Sequence, residues 1–254
     1  MLFFFEITSK PLLVQKYLLL LFAIFFPEFG YSQYTDSLAI EPPAPKARRV
    51  VNTFAAPVAF IAAGLMIQGQ NQHIQHFLNQ QIDERGPKAP SNISEYTQFA
   101  PMAVVFALTA THHKGEHKFM KQLSLAVQSE ALMIAMVRPL KAMTNETRPD
   151  GGPHSFPSGH TAQAFMAATF LHKEFGKKSI WYSITGYTLA TAVGSCRMMS
   201  NRHWASDVLV GAGVGILSTN LVYLIHKDKK KEHKVFSKMN IAASPAGLYM
   251  SMKL

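Results

Sequence analysis

Cysteine is almost missing from this chain: Cys196 is the only one among 254 residues. No intrachain disulfide can form, and no cysteine-based zinc site either. Cys196 itself reads as a small buried apolar residue. Charge is scarce as well. Asp, Glu, Lys and Arg make up 16% of the chain, against roughly 25% in ordinary soluble domains. Acidic residues are the rarer sign, 15 against 25 Lys and Arg. No internal repeat is visible, which excludes solenoid and propeller architectures. Long uncharged runs are few. Only 208–225 reaches the about 18 residues that mark a transmembrane helix. Strand-like alternation is scarce too, so β architectures are not expected.

What is present is apolar and basic. Hydrophobic residues are 48% and the net charge is +10, yet mean hydropathy is only +0.06. That places the chain between soluble and membrane classes. Much of the positive charge sits in short runs: Lys46 to Arg49, His112 to Lys114, and Lys227 to Lys234. Beside apolar helices such runs suit an anionic membrane surface. For the last run, a solvated tail is an equal alternative. Aromatics are not interleaved with the basic runs and no reader motif occurs, so no nucleic acid is expected as a partner.

Along the chain, 1–32 reads as a signal peptide, with an uncleaved N-terminal anchor as the alternative. Lys10 and Lys16 precede the ten apolar residues Tyr17 to Phe26, and small Gly30 and Ser32 follow. Residues 33–50, with Pro42, Pro43 and Pro45, read as a linker. A helical domain is expected over 51–234, and 235–254 as a C-terminal tail. Helices are expected near 51–69, 70–82, 96–111, 118–142, 158–175, 179–197 and 204–226. In the tail, Ser244 to Gly247 reads as a turn, and Leu248 to Leu254 as a strand or nothing regular. The fold class is all-α, a helical bundle of about six core helices.

Three short elements carry chemistry. In Pro157-Ser158-Gly159-His160, Ser158 is a good N-cap for the apolar helix that follows. The free N–H groups of such a helix start bind anions. Gly159 lets the backbone come close to a ligand. His160 is then held where it can protonate a leaving oxygen. The bland alternative is a capped helix with a surface histidine. Upstream, Lys141 is followed by Arg148-Pro149. Two cations there suit a tetrahedral oxyanion, or merely complement a helix C-terminus. Downstream stand Arg197, His203 and Asp207. Residues 203 and 207 share one helix face. A carboxylate on one imidazole nitrogen leaves the other free to attack phosphorus. A plain helix ion pair is the alternative.

In an up-and-down bundle all three elements fall at one end, and together they resemble the tripartite signature of the type 2 phosphatidic acid phosphatase family, over residues ~96–226. The resemblance implies a phosphatase in which His203 is the nucleophile and forms a phosphohistidine, oriented by Asp207. It implies that His160 is the general acid and later activates water. It implies that Lys141, Arg148, Ser158, Gly159 and Arg197 hold the phosphoryl oxygens. No metal and no other cofactor are implied, since fixed cations supply the electrostatics. One departure is visible: family members often carry Ser before the third-motif Arg, and here Cys196 stands there.

A site at one end of an apolar bundle with basic flanks points to a lipid phosphate or pyrophosphate, of the lipid A or undecaprenyl pyrophosphate type. The partner surface is then a membrane or bilayer. The lysine-rich loops lie at the opposite end, so the positive-inside rule puts the site on the periplasmic side. A cleaved signal peptide followed by two early crossings and 118–142 would put it inside instead. A bundle exported and seated at the membrane, with incomplete spanning, reconciles the two. Rival readings are a soluble periplasmic acid phosphatase, a vanadate-dependent haloperoxidase, and a non-catalytic anion-binding membrane protein. Of the remaining residues, Glu130 reads equally as a buried partner of a motif cation or as solvated. Arg138-Pro139 adds charge or kinks its helix. His112, His113 and His117 read as an exposed polar run rather than a metal site. Trp204 packs the nucleophile or sits at an interface.

Overall fold

The structure, a computed structural model, describes residues 45–85, 91–236, 239–244 and 247–252. The expected signal or anchor segment 1–32 lies outside them. The chain divides into two compact units, Met1–Arg48 and Arg49–Leu254, and nearly all that is described belongs to the second.

Eight α-helices follow one another among the described residues: α1 Pro45–Ile67, α2 Asn71–Arg85, α3 Ser91–Thr97, α4 Ala100–Ala110, α5 Phe119–Thr144, α6 Gly159–Phe175, α7 Ile180–Met199 and α8 Ala205–Phe236. A 3-10 turn, Gln68–Gln70, joins α1 to α2. The fold is all-α. The one departure is a terminal hairpin, β1 Met239–Ser244 with β2 Gly247–Met252, paired antiparallel with Met239 opposite Met252. Helix α1 starts at Pro45, inside the stretch read as linker. Pro is well placed at a first helical position, where its N–H would go unpaired anyway. One helix was expected over 96–111, and two are found. Pro101 sits in the first turn of α4, where it cannot donate back to a preceding turn.

Helix α6 is the axis of the bundle. Thirteen of its seventeen residues are buried, a pattern proper to a helix surrounded on all sides. Near its C-terminal end, Phe170, Leu171 and Phe175 pack with Val105, Leu125 and Val222. Nearer its start, Ala162 and Met166 pack with Met133, Val137, Val210 and Val214. Burying one such side chain fully is worth about 1.5–3 kcal/mol. Helices α6 and α8 approach closely: a Cβ on Gly215 would lie 2.2 Å from the Ala162 carbonyl oxygen. Helix α1 is tied to α8 by Asn220 Nδ2, which donates to the Thr53 carbonyl at 2.9 Å.

Three helical stretches are long and apolar enough to cross a membrane: Thr53–Ile82, Phe119–Thr144 and Ala205–His226. This marks the chain as a membrane protein. The sequence offered only 208–225, because charged residues interrupt the other apolar runs and the length of the backbone helix is not visible there. The first stretch joins two expected helices through the 3-10 turn. Side chains such as Val58, Leu65, Met66 and Val127 are exposed on these helices, as lipid-facing positions are.

At the end of the bundle where α6 finishes, Glu174 is buried and fully engaged. It accepts from the His117 backbone N–H at 3.0 Å and from Gln122 Nε2 at 3.0 Å, and His117 Nδ1 lies 2.8 Å from it. The hydroxyl of Tyr223 also donates to it. The expected exposed histidine run is therefore split: His112 and His113 are exposed, while His117 is half-buried against this carboxylate.

The close α6–α8 approach predicts that Gly215→Ala lowers stability by about 1–3 kcal/mol, because the clash is with backbone that cannot turn aside. Gly69→Ala, with nothing within 4 Å of a new Cβ, should stay within about 0.5 kcal/mol of wild type. Thermal unfolding in detergent measures both.

Candidate active site

The site is built around a loop, 145–158, pinned to the helices on either side of it. Helix α5 ends at Asn145, whose φ of 44° is the left-handed geometry of a C-cap. The loop then closes on itself: Arg148 N–H donates to the Gly152 carbonyl at 2.8 Å, and Ser155 N–H to the Glu146 carbonyl at 2.7 Å. Lys141 reaches back from α5 and donates to the carbonyls of His154 at 2.8 Å and Ser155 at 3.2 Å. Two of the three ammonium donors are thereby used. Thr144 Oγ1 donates to the Phe156 carbonyl at 3.2 Å.

The same loop is pinned from the other side by residues before and at the start of α8. Trp204 Nε1 donates to the Thr147 carbonyl at 2.7 Å, and Arg202 pairs with Asp150 at 3.2 Å. Asp207 is completely buried. Its Oδ2 faces His203 Nδ1 at 3.3 Å and accepts from Trp204 N–H at 2.9 Å. Ser155 Oγ donates to the same oxygen, and the backbone N–H of Ser158 donates to the Asp207 carbonyl at 3.0 Å. With Nδ1 held by the carboxylate, Nε2 is the nitrogen left for a ligand.

Lys141, Arg148, Gly159, His160 and His203 line one cavity of about 360 Å³. The expected residues Ser158, Arg197 and Asp207 are buried and do not line it. Ser158 caps α6, accepting from Thr161 N–H at 3.4 Å and Thr161 Oγ1 at 2.9 Å. Arg197 donates to Ser94 Oγ at 3.2 Å. Among the described residues, Arg148 Nε and Arg197 Nε are buried with no hydrogen-bond partner. A buried guanidinium N–H left unpaired is costly, and of the two only Arg148 lines the cavity, where an oxyanion can accept from its guanidinium. Gly159 is not demanded by packing: a Cβ there would meet only Lys141 Cε at 3.9 Å and Val137 Cγ1 at 4.0 Å. The space it leaves open belongs to the cavity.

Both histidines lie outside the three span-length stretches. Burial lowers the pKa of His203, opposed by Asp207. Burial is also the main cause pushing His160 down to about 4, helped by Arg197, His203, Arg148 and Lys141. Burial first, and the neighbouring cations second, thus favour the neutral form of both imidazoles in the protein alone. No cluster of three His, Cys, Asp or Glu suited to a metal occurs among the described residues.

Several contributors carry no motif. Ser155 holds Asp207. Ser206, next to Asp207, is gripped by Asn71: Asn71 Nδ2 donates to its Oγ at 2.7 Å, and Ser206 N–H donates to Asn71 Oδ1 at 3.2 Å. Ser94 holds Arg197 from α3. Glu130 is met by Gln163, not by a motif cation. Arg138 is exposed and lines the cavity. Cys196 is only half-buried.

One end of this helical bundle thus gathers two imidazoles and three cations. Residues 110–231 match the PAP2 superfamily, the type 2 phosphatidic acid phosphatase family that the three motifs resemble. A protein of Porphyromonas gingivalis described as lipid A 1-phosphatase is 34% identical over 237 residues, 87% of this chain and 52% of that protein. A Bacillus licheniformis protein described as bacitracin transport permease BcrC is 41% identical over 70 residues, 28% of this chain and 32% of that protein. The chain therefore spans about half or less of the curated relatives it matches. Among solved structures, LpxE of Aquifex aeolicus has a TM-score of 0.48 at 22% identity, over 61% of this chain and 95% of that one. A Bacillus subtilis PAP2 type phosphatidylglycerolphosphate phosphatase has a TM-score of 0.49 at 19% identity, over 71% of this chain and 96% of that one.

If the missing Cβ of Gly159 serves ligand approach, Gly159→Ala keeps wild-type thermal stability while inorganic phosphate binds several-fold more weakly. Calorimetric phosphate titration is the check. Unchanged affinity removes the glycine from the site.

Proposed function

We propose that this chain is a phosphatase of lipid phosphates or pyrophosphates that works through a phosphohistidine on His203. The observation that carries this is the buried His203–Asp207 pair opening onto a cavity shared with Lys141, Arg148 and His160. His203 Nε2 attacks phosphorus while the bond to the leaving oxygen breaks. His160, as imidazolium, gives its proton to that oxygen. Asp207 keeps the Nδ1 proton in place and stabilises the cationic ring that results. In the second half, water attacks phosphorus, His160 takes its proton, and the P–N bond breaks to release phosphate and neutral His203. Lys141, Arg148, Arg197 and the N-terminus of α6 balance charge on the equatorial oxygens.

A neutral His160 does not contradict an acid role. Burial is the main cause of the low pKa, and the cations that add to it are the groups an incoming phosphate dianion neutralises, so substrate charge raises it part of the way back. Folding and titration share the sign: this lowered pKa stabilises the fold above the ordinary histidine value, and the contribution is lost as pH falls toward 4.

The lipid A and undecaprenyl pyrophosphate types remain the substrates of choice. The three span-length stretches and the likeness to a lipid A 1-phosphatase support a lipid over a soluble monoester. Helix α6 runs from the site to the end bearing Lys114, Lys118, Lys177 and Lys178. A basic end held in the cytoplasm leaves the site at the periplasmic face.

His203→Ala should abolish phosphate release, whereas His160→Ala should still form a phosphoenzyme with an aryl phosphate, whose leaving group needs no proton. Wild-type turnover by His203→Ala would sink the mechanism. A release assay over lipid A, undecaprenyl pyrophosphate, phosphatidate and an aryl phosphate tests the substrate class, and a preference for the aryl ester by orders of magnitude overturns it. In nitrogen-15 histidine spectra at pH 6.5, His160 should be neutral alone and shift toward imidazolium on saturation with inorganic phosphate. A ring that stays neutral removes His160 as the acid.

A further inference from the structure

The cavity is larger than a phosphoryl group requires. At ~30 Å³ per water, its 360 Å³ holds roughly a dozen waters, and a phosphate with its leaving oxygen has only about five heavy atoms. The surplus lies along α5 and α6. On α5, Glu130, Met133, Ile134 and Val137 line it at spacings that place them on one helix face. On α6, Gln163 lines it one turn after His160. Gln163 Nε2 donates to Glu130 Oε2 at 2.7 Å, so a carboxylate–carboxamide pair bridges the two helices on the cavity wall. Gln98 adds a third polar side chain.

A carboxylate is an odd group to find here. It repels the anion the rest of the site gathers, and it stands in a span-length helix beside apolar neighbours. Its hydrogen bond is with neutral Gln163, and no salt bridge to it is found among the described residues. An ionisable side chain inside a membrane segment is expensive and marks function more often than packing. An interhelical clasp alone needs no charge, since two neutral polar side chains supply it.

We propose that Glu130 and Gln163 form a second subsite that binds the hydroxyl or amide N–H groups of a saccharide carrying the scissile phosphate. This rests on the phosphatase reading above and narrows its substrate class to sugar-phosphate lipids. The carboxylate accepts from ring hydroxyls or an amide, and Gln163 can both donate and accept. Its place one turn, about 4.5 Å along the axis, from His160 puts the pair beside the leaving oxygen, where the sugar ring must lie. A prenyl or acyl chain in that position would strip water from Glu130 without replacing its hydrogen bonds. Sites built to hydrogen-bond a substrate reject analogues that lack the partner far better than apolar pockets reject added groups.

The test compares kcat/KM of the full chain in detergent on two matched pairs. One pair is a glucosamine-1-phosphate lipid against a polyprenyl phosphate, and the other is glucosamine 1-phosphate against phenyl phosphate. Glu130→Leu should lower the saccharide-to-apolar ratio roughly tenfold in each pair with measurable turnover, and Glu130→Gln by less, since an amide still accepts. A ratio equal to wild type, whether both rates fall together or neither does, overturns the subsite and leaves the pair as a clasp. Glu130→Gln, nearly isosteric, keeps the comparison open if the leucine variant fails to fold. Failure of the lipid reading has a different signature: wild type then releases phosphate only from the soluble pair, which still reports the saccharide ratio.

Discussion

The buried carboxylate of Asp207 is the group on which the site depends. Its Oδ2 meets the His203 imidazole, the Trp204 backbone N–H and the Ser155 hydroxyl, and its main-chain carbonyl takes the N–H of Ser158. One residue thereby joins the start of α8, the loop after α5 and the cap of α6. A carboxylate with no exposure is tolerated only when donors surround it, and these donors are the parts that must be held in register. The knot that satisfies the charge is the same knot that aims the histidine.

Around it the electrostatics run the other way. Three permanent cations stand close together, with buried Nε–H groups on Arg148 and Arg197 that no protein atom accepts. Like charges at short range cost free energy, and they add to burial in lowering the pKa of His160. A dianion in the cavity offsets that repulsion and can accept from Lys141 and Arg148, which line it. The site is therefore strained toward the ligand it is proposed to bind, and the tightly packed α6–α8 core holds the strain in place.

The polar residues outside the motifs divide by what they face. Ser94 and Ser155 each hold a site residue in position, and Asn71 holds Ser206 next to Asp207, without lining the cavity. Glu130, Gln163 and Gln98 line it. Glu174 and its partners, at the far end of α6, form a satisfied network that anchors the loop between α4 and α5.

Much of this was legible in the chain itself. Lys141, Arg148, His160, Arg197, His203 and Asp207 stand out by their spacing in three short motifs, and helix periodicity carries them to one bundle end. Helices α5, α6 and α7 follow from apolar spacing to within about two residues, a usual tolerance for helix ends. What only tertiary structure decided is which distant groups meet. Asn71 and Ser206 are 135 residues apart and Ser94 and Arg197 are 103 apart, and an ordinary Asn or Ser in a polar stretch carries no mark of its partner. The cavity, the Glu130–Gln163 bridge across its wall and the pairing of His117 with Glu174 are of the same kind. Local sequence determines where a helix forms and which face is apolar, because those depend on neighbours three and four residues away. Packing decides which faces touch, because that depends on the shape of every helix at once.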